Sequence, residues 1–193
     1  MPMTPRLARW IREHYPGRGE LIVARLSRLS VPLQDEPEER ILAAIALLGA
    51  HEPLLYRDLS GRENLRYQAR LFGIDGTRAE ELLERTGMTR RADEPLRTLS
   101  RGMVQRLAVC RVVLHDPALL LLDEPLANLD PAAVDAVEPL IGRGAGRTRV
   151  VTGHDPVAAL RDADLVLGLR GGHAAIAGAA ADVTQDDVRA LYR

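Results

Sequence analysis

Two adjacent carboxylates, Asp123 and Glu124, follow directly on a short apolar run, Ala118 to Leu122. One carboxylate can hold a hard cation such as Mg2+, and its neighbour can act as a base that polarises water. That is the chemistry of a phosphate site, although Asp-Glu-Pro also suits a solvated turn after a strand. Upstream, Ser100 and Gly102 precede apolar residues at Met103, Leu107, Cys110 and Leu114, and steps of four, three and four put these on one helical face. A serine at a helix start lies beside free backbone N–H groups and the positive end of the macrodipole. Such a corner suits an anion, phosphate above all.

The elements that must position these residues are legible around them. Asp116-Pro117 is expected to end the helix, because proline disfavours helical geometry in the residue before it. Ala118 to Leu122 reads as a strand buried on both faces of a parallel sheet. Open α/β sheets place ligands at the carboxyl ends of such strands, where Asp123 and Glu124 stand. Asp130 reads as the N-cap of a following helix with Pro131 in its first turn, and Pro139 is expected to end or kink that helix early. Arg149 to Thr152 is a second short buried strand, delivering His154 to the same sheet edge. A lone histidine there suits a structural role as well as a ligand role. Leu165 to Leu169, Gly171-Gly172 and Ala174 to Ala177 read as strand, turn and strand, and Val183 to Tyr192 as a terminal helix.

The chain has 193 residues, 46% of them hydrophobic, enough for one substantial core. A net charge of −1 gives no global field towards nucleic acid or an anionic membrane. The single cysteine, Cys110, cannot form an internal disulfide, and its place on the apolar helix face predicts a packing role. No apolar run reaches the roughly 20 residues of a membrane span. Residues 1 to 44 are the least legible: a basic stretch with Arg6, Arg9 and Arg12, a Pro16-Gly17 turn, and Leu21 to Leu29, which fits strand or helix. Ser60-Gly61-Arg62-Glu63 and Thr77-Arg78-Ala79-Glu80 both read as capping boxes. The first opens a helix carrying Leu65, Leu71 and Phe72 towards Gly73, and the second a helix through Leu82 and Leu83 to Gly87.

Taken in order, these motifs resemble those of the ABC-type ATPases. Leu99-Ser100-Arg101-Gly102-Met103 looks like a variant of their signature loop, and Leu119 to Glu124 like their Walker B strand with its catalytic glutamate. Leu129-Asp130 looks like their D-loop, and Thr152-Gly153-His154-Asp155 like their switch histidine. The resemblance covers about residues 45 to 193. It implies an α/β fold with a P-loop-NTPase-like parallel-sheet core, N-terminally incomplete, and an α-helical subdomain at about residues 57 to 100 carrying the signature loop.

The same resemblance implies ATP and Mg2+ as cofactors and a head-to-tail pair of ATPase subunits. Asp123 would help hold the magnesium, Glu124 would orient the attacking water, and His154 would contact the γ-phosphate of the chain's own nucleotide. Ser100 and Gly102 would serve the nucleotide of the second ABC subunit, and Asp130 would stand in the D-loop beside it. His51 falls at the Q-loop glutamine position, where imidazole is a poor replacement because Mg2+ prefers oxygen. A transmembrane permease is the other implied partner, holding the chain at the cytoplasmic face of the cell membrane; nucleic acid is not expected.

One family feature is missing. No G-x-x-x-x-G-K-[ST] phosphate loop occurs, and all 26 residues of the Lys+Arg count are arginine. Arg18, in Gly17-Arg18-Gly19, is longer and forked and does not fit a nest shaped for an ammonium group. The expectation is that the portion bearing the loop has been lost, by truncation or a shifted frame, or that the subunit is degenerate. Three readings follow. The first is a transporter ATPase, most like the haem-exporter ATPases of cytochrome c maturation in its H-E-P-L-L-Y-x-x-L-S-x-x-E-N-L segment and its LSRGM signature. The second is an impaired subunit that donates its signature motif to an intact partner. The third is a soluble, non-transport ABC protein.

Overall fold

The computed structural model describes residues 20–25, 45–49, 54–153, 155–171 and 173–191. His51 and His154 lie outside these. The chain divides into two compact units, Arg25–Val151 and Met1–Ala24 with Thr152–Arg193.

The first unit holds the carboxylate pair and the signature-like helix. Strand β2 (Ile45–Leu48) pairs in parallel with β3 (Leu119–Asp123), with Ala46 opposite Leu120 and Leu48 opposite Leu122. β4 (Thr148–Thr152) is the neighbour of β3 on its other side. The strands of this unit are therefore joined through helices, as parallel pairing requires. Leu120 and Leu122 are buried while Leu119 and Leu121 are only half-buried, so β3 turns one closed face to the core rather than two.

Among the described residues the unit has four α-helices: α1 (Gly61–Leu71), α2 (Thr77–Arg85), α3 (Arg101–Val113) and α4 (Pro131–Ile141). The capping box at the start of α1 forms as expected. Ser60 Oγ accepts from the Glu63 N–H at 3.2 Å, and Glu63 Oε2 accepts from the Ser60 N–H at 2.8 Å. The expected box at Thr77 does not form. Thr77 is already helical, Gly76 caps without a side chain, and Asp75 Oδ1 takes the Thr77 N–H at 3.2 Å. In a capping box the Thr77 hydroxyl would take the Glu80 N–H and the Glu80 carboxylate the Thr77 N–H; instead the Glu80 N–H goes to the Gly76 carbonyl at 3.4 Å and the Thr77 N–H to Asp75. Glu80 is thereby left to pair with Arg62 and Arg66 of α1. Both helices end as expected at left-handed glycines, Gly73 and Gly87, with the N–H of the next residue returning to the carbonyl five back (Ile74 to Ala69 and Met88 to Leu83, each 2.8 Å). On α1, Leu65 and Ala69 are buried, but Leu71 and Phe72 point outward at 62% and 43% exposure.

α3 is the central helix. Leu107, Cys110 and Leu114 are buried as the stripe predicts, and so are Ala108, Val109, Val112 and Val113. From Leu107 to Val113 every residue but Arg111 is buried, as in a helix enclosed by its neighbours on most sides. Met103 is half-buried against the same core. α3 stops at Val113, just before Asp116, which takes a left-handed φ of 53° and pairs with Arg147. Two arginines bind α3 to its surroundings: Arg111 Nη2 donates to the Leu47 carbonyl of β2 at 2.8 Å, and Arg106 Nη1 to the Thr86 carbonyl at 3.1 Å. α4 runs two residues beyond Pro139, whose missing N–H falls in the last turn.

The second unit contains β1 (Glu20–Arg25), β5 (Leu165–Arg170) and β6 (His173–Ala179), with β5 antiparallel to both others. The ambiguous stretch from Leu21 is thus a strand as far as Arg25. Its described helices are α5 (Pro156–Arg161) and α6 (Gln185–Ala190), the latter capped by Thr184 and Asp187 and shorter than the expected terminal helix. Among the described residues no helix is long and apolar enough to cross a membrane.

Candidate functional site

Asp123 is the last residue of β3, and the chain turns sharply just beyond it. Glu124 takes a left-handed φ of 49°, and Pro125 offers no N–H for further pairing. Non-glycine residues in that region are strained by roughly 1–3 kcal/mol and cluster where function fixes the backbone. The turn is closed by Ala127 N–H to the Glu124 carbonyl at 3.0 Å and Leu129 N–H to the Leu126 carbonyl at 3.3 Å, with Asn128 also left-handed at φ 63°. Asp123 and Glu124 are both half-buried, open enough to meet a ligand.

The turn is also gripped from α3. Gln105, only 9% exposed, donates from Nε2 to the Pro125 carbonyl at 3.0 Å. Three residues earlier, a Cβ on Gly102 would come within 2.8 Å of the Asn128 carbonyl oxygen. Positions three apart lie on one helical face, so Gly102 and Gln105 address the same turn. Gly102 is therefore required by the close approach of this backbone, whatever else the glycine serves.

Ser100 caps α3 as expected. Its Oγ accepts from the Met103 N–H at 3.3 Å, and the residue is exposed. The hydroxyl hydrogen remains available to donate, beside the N–H groups of Arg101 and Gly102 at the helix start. Asp130 caps α4, its Oδ1 accepting from the Ala133 N–H at 2.8 Å. Ser100, Gly102, Asp123, Glu124 and Asp130 thus lie in one unit, with Gly102 and the Glu124 turn in direct contact, whereas His51 and His154 lie outside the described residues. Among the described residues no cluster of three His, Cys, Asp or Glu side chains could cage a metal. A single carboxylate such as Asp123 suits Mg2+, which keeps most of its waters and takes phosphate oxygens as further ligands.

Sequence reasoning left Gln105 without a role. Its signal was its place three residues after Gly102, on the face turned to the carboxylates. Asn64 was also missed: it is 1% exposed, accepts from the Tyr56 N–H at 2.7 Å and donates to the Tyr56 and Ser60 carbonyls, fixing the segment that leads into α1.

Residues 8–127 match the family described as ABC transporter. That stretch is well over half of the sequence: the chain belongs to the ABC transporter family. The match begins upstream of the point where individual motifs become legible. Among curated relatives, the chain is 45% identical over 102 residues to a cytochrome c biogenesis ATP-binding export protein of Cupriavidus metallidurans, covering 52% of this chain and 48% of that one. It is 41% identical over 121 residues to a phosphate-import ATP-binding protein of Mycolicibacterium smegmatis, covering 60% and 46%. It is 33% identical over 179 residues to a phosphonates import ATP-binding protein of Anaeromyxobacter dehalogenans, covering 85% and 36%. The chain spans about half or less of the length of these relatives. An ATP-binding subunit of an ABC transporter superposes with a TM-score of 0.69 at 24% identity, covering 80% of this chain and 71% of that one, which shows the shared fold.

Proposed function

We propose that this chain is the ATP-binding subunit of an ABC transporter. The observation that carries the reading is the single turn where Glu124, strained at the end of β3, meets Gly102 of the Ser100-capped helix. Asp123 would hold Mg2+, which neutralises charge on the phosphates it bridges. Glu124 would orient the attacking water. Ser100 would offer its hydroxyl, with the first N–H groups of α3, to the phosphates of a second subunit's nucleotide. Asp130 would hold its helix against the same nucleotide edge, and by the family resemblance His51 would stand at the Q-loop position and His154 at the switch position.

A transmembrane permease is the proposed membrane partner, docking on the helical segment at about residues 57 to 100. The exposed Tyr67 and Leu71, one turn apart on α1, and Tyr56 beside them give that segment apolar surface to bury. The proposed place is the cytoplasmic face of the membrane. Haem export for cytochrome c maturation is the cargo reading supported by the Cupriavidus relative.

The test is Mg-ATP hydrolysis by the purified chain and by Glu124→Gln. The substitution removes a carboxylate and keeps its shape, so it should lower turnover about a hundredfold or more. Equal turnover in both proteins would overturn the assignment of Glu124. A second reading is favoured by the sequence itself. With no lysine and no phosphate loop, the chain can act by donating Ser100 and Gly102 to an intact partner. Hydrolysis seen only after such a partner is added would select it.

A further inference from the structure

We infer that Gln105 is a positioning residue: its side-chain amide holds the turn that carries Glu124 and ties that carboxylate to the helix opened by Ser100. Only the choice of Glu124 as the group being positioned rests on the proposed ATPase reading.

The geometry is specific. Gln105 is a buried polar side chain, and its Nε2 reaches across 20 residues of sequence to the Pro125 carbonyl at 3.0 Å. Pro125 follows Glu124 directly and has no N–H, so its carbonyl is the hydrogen-bonding group through which the backbone there can be gripped. The carbonyls of Pro125 and Asn128 are three residues apart, matching the spacing of Gln105 and Gly102 on α3. One is met by an amide donor and the other by bare backbone. Between them lies the bond from Ala127 N–H to the Glu124 carbonyl, which closes the turn while Glu124 stands at φ 49°. A strained residue persists only when its surroundings over-determine it. Gln105 and Gly102 supply that constraint from the same two turns of α3.

The test uses two variants and a readout that does not depend on activity. Gln105→Leu keeps the bulk and removes the donor. Gln105→Glu keeps the shape but can donate only while its carboxyl is protonated, and burial raises the pH at which that proton is lost. Amide hydrogen exchange is followed at Ala127, with the amides of Leu107 to Val112 as a control for the fold. In Gln105→Leu the Ala127 amide should exchange about tenfold faster at every pH, with the control amides unchanged. In Gln105→Glu it should exchange faster at alkaline pH and recover its protection as the pH falls through the carboxyl's range. A merely space-filling role gives no such recovery. Unchanged protection at Ala127 in both variants, or a glutamate variant that stays deprotected at low pH with its control amides intact, would overturn the proposal. In Mg-ATP turnover, kcat should fall about tenfold at unchanged KM, because positioning acts on the chemical step. A rise in KM at unchanged kcat would count against it. If the wild-type chain neither binds nor turns over Mg-ATP, the ATPase reading fails while the exchange result still decides what Gln105 does.

Discussion

Cys110 shows how a side chain that could do chemistry is disarmed by its surroundings. It is fully buried in α3, with Thr86 Oγ1 at 3.3 Å from its sulfur and the Leu82 carbonyl at 3.6 Å. Burial pushes its thiol up to about 11 from an ordinary 9.0. The folded protein therefore keeps the proton that the unfolded chain gives up, and stability from this group is present below the unfolded value and lost as pH rises from about 9 towards 11. A disulfide reagent at mildly alkaline pH should leave the native thiol unmodified and react fully once denaturant is added; rapid modification of the native protein would contradict the burial. The packing role of Cys110 was legible in the sequence because its spacing from Met103, Leu107 and Leu114 is helical. Gln105 and Asn64 were not, because the Pro125 carbonyl that Gln105 binds and the Tyr56 N–H and carbonyl that Asn64 binds lie outside their own helices, and residue type does not encode such partners.

At the scale of elements, the ends of helices carry most of what could be read. Ser60, Ser100, Asp130 and Thr184 all cap, each accepting from a backbone N–H three residues on. Ser60→Ala should lower stability by about 1 kcal/mol in thermal unfolding, since one helix donor loses its partner. The pH dependence has a defined sign. The Ser60 backbone N–H first, and its hydroxyl second, hold the Glu63 carboxyl below its usual range. A lowered carboxyl contributes above its unfolded value of 4.5 and loses that contribution as pH falls through the folded one. A Glu63→Gln variant, which keeps the shape of the box but cannot titrate, should therefore show a shallower acid-side loss of stability than wild type; identical acid limbs would contradict the bonds to Glu63. Thr77 failed as a cap because Gly76 holds that position: its carbonyl takes the Glu80 N–H, and Asp75 takes the Thr77 N–H that the Glu80 carboxylate would have bonded. The apolar residues that α1 turns inward are Leu65 and Ala69, while Leu71 and Phe72 at its end lie at the surface.

For the whole molecule, the order of motifs was more informative than any single one. The apolar strand ending at Asp123 and the serine-capped helix fixed the α/β class and the place of the carboxylates. The contact between the helix start and the Glu124 turn was invisible, since Gly102 and Asn128 meet only once the chain folds back. The ABC transporter family match from residue 8 reaches into the segment that composition and periodicity leave mute. The central claim is that this turn forms part of a nucleotide site. It is tested most directly by equilibrium titration of the purified chain with Mg-ATP, alongside Asp123→Ala. Saturable binding that needs Mg2+ and weakens in the Asp123 variant is the predicted result. No binding by the wild-type chain at millimolar Mg-ATP, or binding indifferent to Mg2+ and to Asp123, would contradict it.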